Sequence, residues 1–527
     1  MWLINCRDLT LVEVGSRVGV KYAIFSHTWE DGEEVQFDEF KDRTARTKRG
    51  WEKIRKICRL AGDEGYEFAW CDTCCINKTS SAELTEAINS MFPWYAAADI
   101  CYVYLVDYDH SNPASELSAS RWFTRGWTLQ ELIAPAQVRF YDASWATIGT
   151  KATLSKTLSS ITGIEEHVLR ASKDRKLDDV LGQVPVAARM AWAARRKTTR
   201  IEDMAYCLLG IFGVNLPMLY GEGERAFIRL QEEIVRTNND LSLFAWRSAD
   251  GVRPSPLDSY CGVFARHPRD FGCSGGVVLA SNVMYNSDFT MSNKGVKIEM
   301  DLSYFKQGDL HVLFLNCHNA ANQVANLGIF LKHQGANVFA RARPHEFASR
   351  SIHVPDSTER KSFFLNKLLS PSIAQSLHAI HRCAFVVSKI PGRYSHCWTT
   401  GLAGPGQLWD GGQRMFIATG LQDFVGYYEY RFNNPRAYAL TSGTNFGFLV
   451  FFGYGYGFKP WLRAVGHGEA QSYYVLDAVE RGDMRMLAQH AAGMPVETRV
   501  GGLGIIVELL AGVRNGEPVF LIDCKES

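Results

Sequence analysis

Ser120-Arg121-Trp122-Phe123-Thr124-Arg125-Gly126-Trp127-Thr128-Leu129-Gln130-Glu131-Leu132 leads, by way of Pro135, into Val138-Arg139-Phe140-Tyr141-Asp142. Trp127 through Leu132 predicts a short helix stopped by Pro135, and the β-branched and aromatic run after it predicts a strand. A helix feeding a strand too apolar to be half exposed is one step of a parallel sheet with crossover helices. Three earlier runs supply the remaining strands: Tyr22 to Ser26, Phe68 to Asp72 and Ile100 to Val106. Between the first two, Trp51, Ile54, Cys58 and Ala61 fall on one helical stripe. Between the next two, Ser80 and Glu83 form a capping box ahead of Leu84, Ile88, Met91 and Tyr95, in a helix that Pro93 should kink or end.

Outward from this core, the pattern divides the chain into four parts. Residues 1–150 read as the α/β core, and 151–246 as a helical extension in which Thr199 and Glu202 cap a helix through Phe212 and Glu224 to Thr237 is amphipathic. Asp250, Gly251, Pro254 and Pro256 mark 247–260 as a linker. In 261–527 the apolar period changes to two: Val296, Ile298, Met300 and Leu302 alternate with charged residues. Further strands are expected at Val312–Leu315, Leu327–Leu331, Met415–Ala418, Val425–Phe432, Tyr473–Leu476 and Ile505–Leu510, with a hairpin at Asn515-Gly516. This half is expected to be mainly antiparallel, one or two β-sandwich units.

Composition excludes several classes. Lys+Arg at 57 against Asp+Glu at 56 leaves a net charge of +1, so no global field draws the chain to nucleic acid or an anionic membrane. Arg7 and Asp8 interrupt the first residues before a secretory signal could develop, and the most apolar runs, Phe446–Phe452 and Leu503–Val513, fall well short of the roughly 18 residues a bilayer span needs. A cytoplasmic protein is expected, and its thirteen cysteines are read as free thiols without a disulfide framework.

Few motifs carry chemistry by themselves. No stretch matches GxxxxGK[ST], and Gly221-Glu222-Gly223-Glu224 offers carboxylates where a phosphate needs amides and a lysine, so it reads as a tight turn before a helix. Cys71, Cys74 and Cys75 form CDTCC without the second cysteine pair a zinc site would want. A nucleophilic Cys74 or Cys75 assisted by His27 is the sharper alternative, since both lie at carboxyl ends of neighbouring strands, although cysteines in such runs are more often buried and structural. Trp127 and Glu131 stand four apart and so share a helix face, which would set a carboxylate against an indole in a partly dry cleft. By default, though, Glu131 complements a helix dipole and Trp122 and Trp127 are core anchors.

Three blocks in order resemble the signature blocks of the fungal HET (heterokaryon incompatibility) domain: Tyr22-Ala23-Ile24-Phe25-Ser26-His27-Thr28-Trp29, Trp70-Cys71-Asp72-Thr73-Cys74-Cys75-Ile76-Asn77-Lys78, and Arg125-Gly126-Trp127-Thr128-Leu129-Gln130-Glu131-Leu132-Ile133-Ala134-Pro135. Arg195–Phe212 and Leu216–Ile234 resemble that family's helical extension, with Asn77 and Ala191 replacing its usual Asp and Ser. HET domains in turn resemble TIR domains, and the resemblance implies a flavodoxin-like, TIR-like sheet. Ser120-Arg121-Trp122 with Glu131-Leu132 is similar to the TIR pattern whose glutamate is needed to cleave NAD between nicotinamide and ribose. The resemblance therefore implies Glu131 as the catalytic carboxylate, with Ser26, His27, Trp29, Asp72, Trp122 and Trp127 around the substrate. NAD would be substrate rather than cofactor, and no metal is implied. It also implies a cell-death effector of nonself recognition that self-associates on activation, triggered by a protein partner. The alternatives are a non-enzymatic oligomerising module, a Cys/His hydrolase, and a scaffold recruited to a metabolic reaction.

Overall fold

The computed structural model describes residues 1–15, 19–171, 177–248, 260–280, most of 286–370 and, beyond these, chiefly stretches within 384–388, 403–417, 425–431, 447–466, 497–514 and 517–526. The first sheet is centred on β3 (Tyr22–His27), all six residues of which are buried. β4 (Phe68–Trp70) and β5 (Ile100–Tyr104) flank it in parallel, and β6 (Val138–Tyr141) runs parallel beside β5. The sheet is mixed, however. β1 (Trp2–Asn5) and β2 (Leu11–Glu13) add an antiparallel hairpin on β4, and β7 (Thr147–Thr150) closes the other edge antiparallel to β6. The order is β2-β1-β4-β3-β5-β6-β7. Its parallel part, second-first-third-fourth in chain order, reverses direction between β3 and β5, and open α/β sheets place ligands outside the strand ends at such a switch point.

The crossover helices follow the apolar stripes. α1 (Phe37–Lys41) is short; α2 (Arg49–Asp63) buries Trp51, Ile54, Cys58 and Ala61 between β3 and β4. α3 (Ser81–Ala97) starts on Ser80, whose hydroxyl accepts the Glu83 amide proton, and continues four residues beyond Pro93. Packing holds that last turn: the Tyr22 hydroxyl donates to Trp94 O at 2.6 Å and the Tyr95 hydroxyl to Phe25 O at 3.0 Å. α4 (Thr128–Ile133) is wholly buried, and the Lys151 ammonium donates to the carbonyls of Leu132, Ile133 and Pro135 at its end.

The extension folds into short helices: α5 (Ser155–Thr162), α6 (Glu166–Leu169), α7 (Leu177–Gly182), α8 (Val186–Ala191), α9 (Asp203–Tyr206), α10 (Leu209–Phe212) and α11 (Arg225–Thr237). The helix expected from Thr199 to Phe212 is two single turns instead. Glu202 is its N-cap, and that carboxylate is engaged elsewhere, accepting the amides of Gly221 at 2.8 Å and Gly223 at 3.0 Å. Both glycines have positive φ, which the turn at 221–224 requires. Gly210 lets α10 lie on α3: a Cβ there would sit 2.0 Å from the Phe92 Cβ.

A nine-stranded, mostly antiparallel sheet follows. Gly295–Phe305, Leu310–Asn319 and Asn322–Gly335 are its longest strands and contain the shorter runs read from sequence, while Val338–Ala342 pairs in parallel with Ser357–Leu365. Its inner face shares one continuous core with the helices and the first sheet, through Phe289, Ile298, Leu313 and Leu331. Farther on, a six-stranded and a four-stranded sheet pack Phe385, Val507 and Ile522 against Tyr430, Val450 and Leu462 in a separate core. Strands Ile505–Arg514 and Glu517–Glu526 pair until Arg514 faces Glu517, the register a two-residue hairpin requires. Asn515-Gly516 itself, nearly all of the expected linker and the expected strand at 473–476 lie outside the described residues. Among the described residues no helix is long and apolar enough to cross a membrane.

Candidate functional site

At the carboxyl ends of β3 and β4, and against the N-terminal part of α4, lies a cavity of about 860 Å³. Its position follows from the sheet: β3 delivers Ser26 and His27, the turn after β4 delivers Cys71 and Asp72, and the buried α4 presents Glu131. Of the residues singled out from sequence, His27, Trp29, Asp72, Trp127 and Glu131 line the cavity. Trp29, 36% exposed, carries it to the surface.

Ser26 and Trp122 lie behind this lining, Trp122 with no exposed surface at all. The Trp122 indole N–H donates to Ser26 Oγ at 2.7 Å, and the Ser26 hydroxyl donates to Glu131 Oε2. Trp122 and Ser26 thus form a buried relay that fixes one oxygen of Glu131. Burial raises the Glu131 pKa to about 8, and the charge of Asp72 adds to it; the Ser26 hydrogen bond and the charges of Arg125 and His27 pull the other way. In the free protein at neutral pH the group is mostly the neutral acid.

Beside it sits an ion-pair network. His27 Nε2 meets Glu34 Oε2 at 3.1 Å, and Glu34 Oε1 accepts from Lys53 Nζ at 2.7 Å. Burial opposes a charge on His27, yet Glu34 outweighs it and holds the imidazole above its ordinary value. Burial likewise works against Glu34, whose pKa is nevertheless pulled down to about 2 by His27 and Lys53. The Trp127 indole is hydrogen-bonded to Asp203 of α9.

Cys74 and Cys75 are buried, and burial with hydrogen bonds to Cys71 and Cys75 pushes the Cys74 thiol well above its ordinary value, the reverse of what a nucleophile needs. The thiol that meets His27 and Asp72 is Cys71: one ligand atom from each of the three lies within 4.8 Å of the others.

The mixed charge of the lining was not read from sequence: Glu30, Asp31, Glu34 and Asp203 add carboxylates beside Asp72 and Glu131, and cations stand among them. Lys48, Lys78, Arg125, Lys197 and Arg200 all line the cavity, with Lys78 Nζ 4.0 Å from the Trp29 ring centre. Lys78 and Arg125 lie inside two of the quoted blocks, and Lys197 ends the run Arg195-Arg196-Lys197, so a signal existed; only the fold shows that these cations converge. The annex reaches the cavity through a bridge of Arg125 with Lys197, in which Gly126 N donates to Lys197 O at 2.9 Å and Lys197 N to Thr124 O at 2.6 Å. Buried Arg196 donates to Arg125 O at 2.8 Å and to Thr128 Oγ1 at 2.9 Å, locking this wall to the start of α4.

Residues 22–114 match the heterokaryon incompatibility protein family (HET), and residues 225–313 match a domain of unknown function (DUF8212). Over 231 residues the sequence is 47% identical to the vegetative incompatibility protein HET-E-1 of Podospora anserina, an alignment that covers 42% of this chain and 16% of that protein. The aligned part is therefore a minor fraction of that relative's length. No solved structure matches the chain.

Proposed function

We propose, for a chain whose residues 22–114 carry a heterokaryon incompatibility domain, that it acts in vegetative incompatibility and does so by cleaving NAD at the bond between nicotinamide and ribose. The observation that carries this reading is the buried carboxyl group of Glu131, fixed by Ser26 and Trp122 in a cavity whose wall also holds Lys78, Arg125, Lys197 and Arg200. A TIR-like sheet with its ligand at the β3/β5 switch point is part of the same proposal.

The chemistry asks little of the protein. The glycosidic bond breaks with its electron pair going to the pyridinium nitrogen, so nicotinamide leaves neutral and needs no acid. Positive charge then develops at the ribose anomeric carbon, and a carboxylate beside it stabilises the oxocarbenium-like state. Water adds to that carbon, and its proton passes to Glu131 and then to solvent. The pyridinium cation of the bound substrate favours the ionised form of Glu131, offsetting the burial that keeps the acid neutral in the free protein. Lys78, Arg125, Lys197 and Arg200 suit the pyrophosphate.

Incubating the full chain with NAD and quantifying nicotinamide tests this, with self-association promoted by concentration or crowding. Wild type should release nicotinamide and Glu131→Ala should lose at least a hundredfold in turnover; equal turnover in the two would remove Glu131 from the mechanism. A non-enzymatic oligomerising module is the second reading, favoured by Ile201 and Leu219, which are 46% and 52% exposed in the segments that border the cavity wall. It requires toxicity in cells that survives Glu131→Ala and fails when those two side chains become polar.

A further inference from the structure

CDTCC and His27 remain outside the chemistry assigned to Glu131. We propose that His27, Cys71 and Asp72 bind a divalent transition-metal ion of the zinc class in the floor of the cavity, with the fourth coordination position facing the cavity. This goes beyond NAD cleavage and holds whether or not that reaction occurs.

Three observations carry it. One ligand atom from each residue lies within 4.8 Å of the other two, and an imidazole, a thiolate and a carboxylate are a donor set zinc accepts. Second, each side chain is already held by a neighbour. His27 Nε2 is bonded to Glu34 Oε2 at 3.1 Å, and Glu34 is braced by Lys53; Asp72 Oδ2 accepts from Trp29 Nε1 at 3.0 Å; Cys71 Sγ meets Thr73 Oγ1 at 3.1 Å. A carboxylate on the far nitrogen of a histidine is the usual support of a metal ligand, because it fixes the tautomer and aims the free lone pair.

Third, the atoms left over are the ones a metal would take. His27 Nδ1 and Asp72 Oδ1 are both buried without a hydrogen-bond partner, a costly condition for a protein to leave in place. Closing three donors from within 4.8 Å onto one ion at about 2.0–2.3 Å needs side-chain shifts on the order of 1 Å. Binding forms an S–metal bond as the Cys71 thiol proton leaves to solvent, and any proton on His27 Nδ1 leaves with it. With Cys71 as thiolate, Asp72 as carboxylate and His27 neutral, the two anionic ligands balance the dication and the bound centre is formally neutral.

The same donors separate this site from a zinc site built of the CDTCC cysteines alone. There the ion would take Cys71, Cys74 and Cys75; here it takes one sulfur and two lighter atoms.

The test uses the full chain, freed of metal and titrated with cobalt(II) and zinc(II). The expected result is one ion per chain. Cobalt should give tetrahedral visible bands with a near-ultraviolet thiolate charge-transfer band, and zinc-edge X-ray absorption of the wild type should show one sulfur near ~2.3 Å with nitrogen or oxygen neighbours near ~2.0 Å. Cys71→Ser should abolish the charge-transfer band, Asp72→Asn should weaken affinity at least tenfold, and Cys6→Ser should change neither. Two or more sulfurs in the wild-type spectrum, a charge-transfer band that survives Cys71→Ser, or no stoichiometric binding by folded wild type would each overturn the proposal. Because the X-ray absorption arm needs no variant, it stands even if Cys71→Ser fails to fold, and neither arm depends on NAD turnover.

Discussion

At the scale of single residues, the site is a set of buried polar groups, each aimed by another. Glu131 is the least comfortable of them, since the residue is only 5% exposed and its pKa is raised to about 8. Between pH 4.5 and about 8 the unfolded chain has lost this proton while the folded chain keeps it, so the group's contribution to stability is whole below that window and falls as pH rises through it. Glu131→Gln mimics the neutral acid, keeps the acceptor for Ser26 and cannot ionise. Thermal or denaturant unfolding should find the variant close to wild type at the acid end and more stable at the alkaline end, by up to about 4 kcal/mol. A stability difference that stays flat across the window would show that Glu131 ionises as freely as an exposed acid. Sequence could nominate Glu131, because its block is distinctive, but could not place Trp122 and Ser26 behind it. An indole reads alike as a pocket wall or as a buried donor until a partner 96 residues away is known to meet it.

Secondary-structure elements explain why the cations converge. Four parallel strands were legible because buried strands leave unbroken apolar runs, and α2 because its stripe is clean. The hairpin of β1 and β2, and the edge strand β7, were not: they are three or four residues long, too short for any period to show. Nor was the break between α9 and α10, at Cys207 and Leu208, where the apolar pattern runs on unbroken. The annex wall is set by backbone pairing of 124–126 with Lys197, and Gly126 permits that approach. A Cβ there would stand 2.5 Å from Thr198 Cγ2 and 3.1 Å from Cys207 Sγ. Gly126→Ala should therefore cost about 1–3 kcal/mol and, by displacing Lys197 and Arg200, raise KM for NAD severalfold more than it lowers kcat. Unchanged stability together with unchanged KM would mean that the wall does not hold the substrate.

For the molecule as a whole, the shared core makes the helical annex and the nine-stranded sheet depend on one another. Arg341, 1% exposed, ties them: its guanidinium lies 3.8 Å from the Trp246 ring centre and donates to the carbonyls of Phe244, at 3.0 Å, and Trp246. Arg341→Met would leave the buried Trp246 carbonyl without its donor and the Phe244 carbonyl with the Trp246 amide alone, and should destabilise by about 1–3 kcal/mol. Hydrogen exchange should quicken on both sides of the junction, in Leu241–Phe244 and in Val338–Ala342; a change on one side alone would show that the two do not open together. A change of period announced the β-rich half in the sequence, yet nothing local could show that its inner face packs on the helices, because that contact pairs residues nearly a hundred positions apart. The cavity around Glu131 is lined by the first sheet's loops, α3, α4 and the annex. The most direct measurement of its role is chromatographic quantification of nicotinamide and ADP-ribose after NAD is incubated with concentrated full chain, wild type beside Glu131→Gln. Equal amounts of the two products from wild type, and a loss of at least a hundredfold in the variant, are predicted; the same yield from both, or no cleavage by folded and self-associated wild type, would contradict the assignment.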